Sequence, residues 1–120
     1  MTVKINHSQS TILMEAFLNV CTQLHLKAAW QADVLGVNEI TIKRNQTTGF
    51  TNNTKACEIQ AQIILMYRAL YAICGGDNKL MLHWFNTQNK VLKVAPSEAC
   101  KTVEGLINVN QYLNAMRGKV

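Results

Sequence analysis

Proline occurs once in this chain, glycine six times, and charged side chains make up only 16% of it. Disordered segments are rich in charge and poor in apolar groups, so a chain with this composition is expected to fold. Long hydrophobic runs are missing too. The longest, Ile63 to Cys74, is twelve residues with Arg68 among them, well short of the roughly 20 needed to cross a bilayer. Cys21, Cys57, Cys74 and Cys100 form no Cys-x-x-Cys pair, and His7, His25 and His83 lack metal-ligand spacing. Neither a zinc site nor a redox pair is indicated, and no cofactor is expected. With no glycine-rich phosphate loop and only seven scattered carboxylates, little remains from which to assemble an active site. The first residues are not followed by a signal-type apolar block, so a cytoplasmic protein with reduced, buried thiols is expected.

What is present is apolar residues, 48% of 120, enough for one compact domain or for a small head on a larger helical body. The net charge of +5 would permit an anionic partner, and its distribution is uneven. Residues 1–60 hold five Lys or Arg against four Asp or Glu, whereas residues 61–120 hold seven against three. A mild surplus of this kind is more often plain solubility than a nucleic-acid footprint.

Apolar periodicity predicts an all-α chain of about six to seven helices. Ser8 or Ser10 is placed to cap a first helix carrying Ile12, Leu13, Ala16, Phe17, Val20, Cys21 and Leu24 at helical spacing. A second runs from Leu26 to Leu35 and stops at Gly36; a third, capped by Asn38, covers Glu39 to Gln46. Thr47 to Thr54 reads as a linker between residues 1–50 and 51–120, with Thr54 capping a long helix that starts near Lys55. That helix is apolar on most sides and is expected to be buried. Gly75-Gly76 closes it, Asp77 or Asn78 caps the next, and Leu80, Trp84, Met81 and Phe85 are expected to pack back on it. Beyond the polar turn Thr87-Gln88-Asn89, Pro96 suits the first turn of a short helix over Ser97 to Lys101. Thr102 caps a last helix with Val103, Leu106, Ile107, Val109, Leu113 and Met116 as its apolar stripe and Gly118 at its end.

The pattern Gln31-Ala32-x-x-Leu35-Gly36-Val37-x4-Ile42 resembles a helix-turn-helix. Ala32 lets two helices approach, Gly36 permits the sharp turn, and Leu35, Val37 and Ile42 lock the pair from inside. Asn38, Thr41, Lys43 and Arg44 would then face DNA, the cations on phosphate or guanine and Thr41 on a base edge. The alternative is a pair of core helices with a solvated outer face.

The order of motifs resembles one family over nearly the whole chain. After the helix-turn-helix-like head come E-I-x-x-x-I-I-L-M-Y-R-A-L at 58–70, G-G-D at 75–77, W-F-N-T-x-N at 84–89, A-P-x-E at 95–98, T-x-E-G-L at 102–106 and Y-L-N-A-M-R-G at 112–118. Together they are similar to the Xre/MbcA/ParS antitoxins, most strongly over about residues 58–118. Where that family often carries a Gly-Gly step before its Ala/Ser-Pro, this chain has Lys93-Val94. The resemblance implies a toxin-binding helical domain over residues 51–120 and a homodimer. It implies as partner a cognate RES-domain toxin that consumes NAD and is silenced by covering its active-site cleft, and operator DNA as a second partner. It further implies that Met116, Arg117, Lys119 and Val120 contact the toxin, with Trp84, Asn89 and Pro96 shaping the supporting surface. Core filling and helix initiation are the plainer roles for Trp84 and Pro96, and a solvated terminus that for Arg117 and Lys119. A stand-alone helix-turn-helix regulator without a toxin is the alternative function.

Overall fold

The computed structural model describes residues 9–118, which form seven α-helices and, among the described residues, no strand. Helices α1 (Gln9–Gln23), α2 (Ala28–Leu35) and α3 (Glu39–Arg44) precede the long α4 (Lys55–Cys74). After it come α5 (Asn78–Asn86), the single turn α6 (Pro96–Ala99) and α7 (Val103–Met116). Four of these starts are fixed by side chains that satisfy a free N–H of the first turn. Asn38, Thr54, Asp77 and Thr102 accept from the backbone of Thr41, Cys57, Leu80 and Gly105 respectively. Helix α2 ends where Gly36 turns to φ +69°, a conformation in which a side chain would be strained, and its N–H closes the helix on the Ala32 carbonyl.

Helix α4 is the axis of the molecule. Helix α1 packs along one side of it and α7 along another, while α2 touches it from the head and α5 folds back from its end. One apolar core results, holding Met14, Phe17 and Leu24 from the first helix region and Ile63, Met66 and Leu70 from α4. Met81 and Phe85 of α5 and Val109 and Leu113 of α7 complete it. Burying each such side chain stabilises the fold by roughly 1.5–3 kcal/mol before entropy is counted. In the midst of this core lies Gln60, fully buried, its Nε2 donating to the Met14 sulfur at 3.4 Å.

The faces are not all as the sequence suggests. Helix α4 is not apolar-and-buried all round: Leu65 and Tyr71 are about half exposed. Helix α5 turns Met81 and Phe85 inward as expected, with Trp84 partly buried against the core, but leaves Leu80 49% exposed. On α7 only Leu106, Val109 and Leu113 are buried, and Val103, Ile107 and Met116 stand in solvent. Ser10 is not a cap but lies inside α1, buried, with its hydroxyl donating to the Asn52 side chain; Ser8 lies outside the described residues. The short helix begins one residue early, at Pro96 itself. All four cysteines are free, three of them buried and Cys74 half-buried.

Two contacts tie the head to the far end of the chain. The Trp30 indole N–H donates to the Ser97 carbonyl at 2.9 Å while its ring meets the edge of Phe85 at 6.1 Å between centroids. Nearby, Lys101 bridges Asp33 at 3.5 Å and Glu98 at 3.2 Å. The bond to Glu98 is the main reason the Lys101 ammonium holds its proton above the usual lysine range.

Candidate functional site

The segment between α5 and α7 folds around Asn89. Its side-chain oxygen accepts from the backbones of Val91 at 2.8 Å and Leu92 at 3.0 Å, and its own N–H donates to the Val94 carbonyl at 3.1 Å. An asparagine that bonds its own backbone two and three residues on is a turn builder. Here the turn closes with Lys93 at φ +71°, its N–H on the Asn89 carbonyl. The loop holds Val91 and Val94 out in solvent. Behind it opens a cleft of about 740 Å³ lined by Leu92, Val94, Ala99, Gly105, Asn108 and Tyr112 among others.

Trp84 frames this region from α5, stacked on Tyr112 of α7. Both rings are partly buried, so each contributes packing and an outer edge. Pro96 is buried and opens α6. The T-x-E-G-L motif acquires a physical meaning at this junction. Thr102 caps α7 through the Gly105 N–H at 3.0 Å, and Gly105 lies so close to the Ala99 carbonyl that a Cβ would fall 1.9 Å from its oxygen. Only glycine lets α6 and α7 meet there.

Helix geometry splits the residues expected to contact a partner between two sides of α7. Met116, exposed, follows Tyr112 by four residues and so extends the Trp84–Tyr112 side. Arg117, also exposed, follows Asn114 and Asn110 and lines a furrow between α7 and α4 with Gln62, Leu65 and Arg68. Lys119 and Val120 lie outside the described residues. The sequence reading passed over Tyr112 and Arg68. Tyr112 was signalled by its spacing of four from both Asn108 and Met116, and Arg68 by being the one charge in the apolar run.

At the other end of the molecule, α2, a turn at Gly36 and α3 form a compact pair with Val34, Leu35 and Ile42 inside. Lys43 and Arg44 project into solvent. Thr41 is partly covered, and the Asn38 side chain is already engaged by the Thr41 N–H at 2.8 Å. Exposed Ile40 stands one turn before the two cations.

Both regions face solvent. Among the described residues no group of three or more His, Cys, Asp or Glu could hold a metal, and no helix is long and apolar enough to cross a membrane. Burial pushes the Cys21 and Cys100 thiols up to about 12; burial, with the Asp77 charge second, also raises Cys74. Thiols so shifted are poor nucleophiles.

No curated protein matches the chain. Residues 69–119, from the last turns of α4 through α7, match the family model described as the antitoxin Xre/MbcA/ParS C-terminal toxin-binding domain. The Asn89 loop, the Trp84–Tyr112 stack and the exposed end of α7 all fall within that span, and this part of the chain is similar to that toxin-binding domain.

Proposed function

We propose that the protein is an antitoxin of a type II toxin–antitoxin system that acts by binding and not by catalysis. It neutralises a RES-type, NAD-consuming toxin in the cytoplasm by covering the cleft where NAD enters. The observation that carries this reading is the match of residues 69–119 to a toxin-binding domain. The loop around Asn89, the Trp84 and Tyr112 edges, and Met116 supply a surface already held in shape, which reduces the entropy lost on docking. The last residues, Arg117, Lys119 and Val120, reach into the toxin cleft, where cations meet acidic groups or the surroundings of the NAD phosphates. Trp84, Asn89 and Pro96 hold the surface from which that tail departs.

Co-expression with the product of the adjacent gene tests the reading, scored by rescue of growth and by co-purification. Growth arrest that this chain does not relieve would sink it. Deleting residues 117–120 separates the tail from the rest, because unchanged toxin affinity would confine binding to the helical surface.

Operator binding through α3 is the second part of the proposal, favoured by the exposed Lys43 and Arg44 behind a packed helix-turn-helix-like pair. In a gel shift with the upstream DNA, replacing both cations by alanine is expected to weaken binding. It also lowers the slope of log K against log salt by about two. No shift at low salt would leave toxin binding alone; a shift with no toxin gene alongside would favour a stand-alone regulator.

A further inference from the structure

Helix α3 is too short to persist by itself, and its orientation is set by what holds it. Ile42 is anchored in the core, the Asn38 side-chain oxygen accepts from the Thr41 N–H at 2.8 Å, and the Asn45 side chain donates to the Thr41 carbonyl at 2.7 Å. These bonds bear on the residues expected to face DNA. Asn38 has its side-chain oxygen committed within the helix, and Thr41, next to Ile42, is partly covered. Successive residues lie about 100° apart around a helix, so Ile40 and Arg44, each two positions from Ile42, both point nearly opposite to it. Ile40 is 67% exposed, more than any other large apolar side chain among the described residues. Its neighbours on that ridge are Lys43 and Arg44, three and four positions on and both exposed, with exposed Glu39 just before it. Toward the start of α2 it borders a hollow of about 350 Å³ shared with Ala28, Gln31, Lys43 and Gln46.

We infer that Ile40 reads thymine, its side chain packing against the 5-methyl group of that base in the major groove. This role rests on operator binding through α3 and adds what the helix recognises. A protein partner takes hold of contiguous apolar area, whereas here a lone branched side chain sits on a cationic ridge. In the major groove the thymine methyl is the apolar feature among donors and acceptors, with phosphates on either side. The ridge matches that order of groups. Lys43 and Arg44 take phosphate or guanine and fix the register, and Ile40, one turn before Arg44, meets a base edge. Glu39 is repelled by phosphates, which keeps this end of the ridge over the bases and away from the backbone. The base-edge contact expected of Thr41 thus passes to Ile40, the residue that the packing of Ile42 turns outward.

Gel shifts of the full chain on duplexes of the upstream DNA are the test, with thymines replaced one at a time by deoxyuridine, which lacks only the 5-methyl group. At the contacted position the wild type binds the uracil duplex about fourfold more weakly, the worth of one buried methyl. Ile40→Ala, an exposed change that leaves the core intact, binds the thymine duplex more weakly than wild type and is indifferent to uracil at that same position. Lys43→Ala loses affinity for both duplexes alike and keeps the uracil effect. Wild-type binding that uracil changes at no position, or an Ile40→Ala protein as sensitive to uracil as wild type, would overturn the inference while leaving operator binding in place. An Ile40→Ala protein that binds DNA as wild type does but no longer co-purifies with the toxin would overturn it too, placing Ile40 in a protein interface. No shift with any duplex would remove operator binding itself, and the role of Ile40 with it.

Discussion

The Trp84 indole runs nearly parallel to the ring of Tyr112 and offset from it, with centroids 6.2 Å apart and planes 14° from parallel. This contact joins α5 to α7 at the edge of the surface proposed to meet a toxin. Offset stacks contribute about 1 kcal/mol beyond the area they bury. In urea unfolding, Trp84→Ala and Tyr112→Ala are therefore expected to be non-additive by about 1 kcal/mol in a double-mutant cycle. Strict additivity would mean that the two rings merely share a neighbourhood.

Gly105→Ala is expected to be strongly damaging. The new Cβ would meet the Ala99 carbonyl oxygen at 1.9 Å and the Thr102 hydroxyl at 2.9 Å, and the first of these is backbone that cannot swing away. A loss of roughly 3 kcal/mol follows from an insertion of this kind. A thermal midpoint within a degree or so of wild type would show that α6 gives way instead.

Lys93 offers the opposite experiment. Its φ of +71° is left-handed, a conformation that strains any residue with a Cβ. Lys93→Gly relieves that strain while leaving the Asn89 bonds in place, and the protein should gain up to about 1 kcal/mol, partly offset by the greater freedom of glycine in the unfolded chain. A clear loss of stability in urea would mean that the lysine side chain holds the loop. The glycines that the resembling family often has at this step fall on the position where the backbone asks for one.

Much of the fold could be read from caps and breakers, because those signals are local. Asn38, Thr54, Asp77 and Thr102 each bond the N–H three residues on, as their positions before apolar runs imply. Which way a helix faces is set by its neighbours instead. Leu80 and Met81 are adjacent and equally apolar, and α5 buries the second because Phe85, four residues later, is held by Trp30 from α2. That link spans more than fifty residues of sequence and has no local trace. Likewise Val103 and Ile107 fit the helical period of α7, yet lie on the flank that α4 leaves open. Of the candidate surface, Trp84 and Asn89 were visible as a motif, whereas Tyr112 becomes meaningful only once α7 is laid beside α5.

Gln60 sits fully buried with its side-chain carbonyl oxygen unpaired among the described residues, its amide nitrogen meeting the Met14 sulfur. A buried acceptor without a donor costs about 1–3 kcal/mol. Gln60→Met keeps the length of the side chain and removes the orphan, so the urea midpoint should rise by the equivalent of about 1 kcal/mol. A fall would indicate that the amide oxygen finds a donor in solution.

Two thiols give the protein an alkaline limit. Burial raises Cys21 and Cys100 from 9.0 to about 12, so between those values the unfolded chain has shed protons that the folded one retains. Stability is therefore full below about pH 9 and falls as pH rises toward 12, by about 1.4 kcal/mol per pH unit for each thiol. Urea midpoints across that range should drop less steeply in Cys100→Ala than in wild type. Equal slopes would place the effect elsewhere.

Because α4 supplies core side chains to the helices on either side of it, the molecule has no seam along which to come apart. Cleaving the peptide between Arg44 and Lys55 would bare Ile63, Met66 and Leu70 on one fragment and Met14 and Phe17 on the other. The nicked halves should stay clasped and elute together, each serving as the solvent shield of its mate.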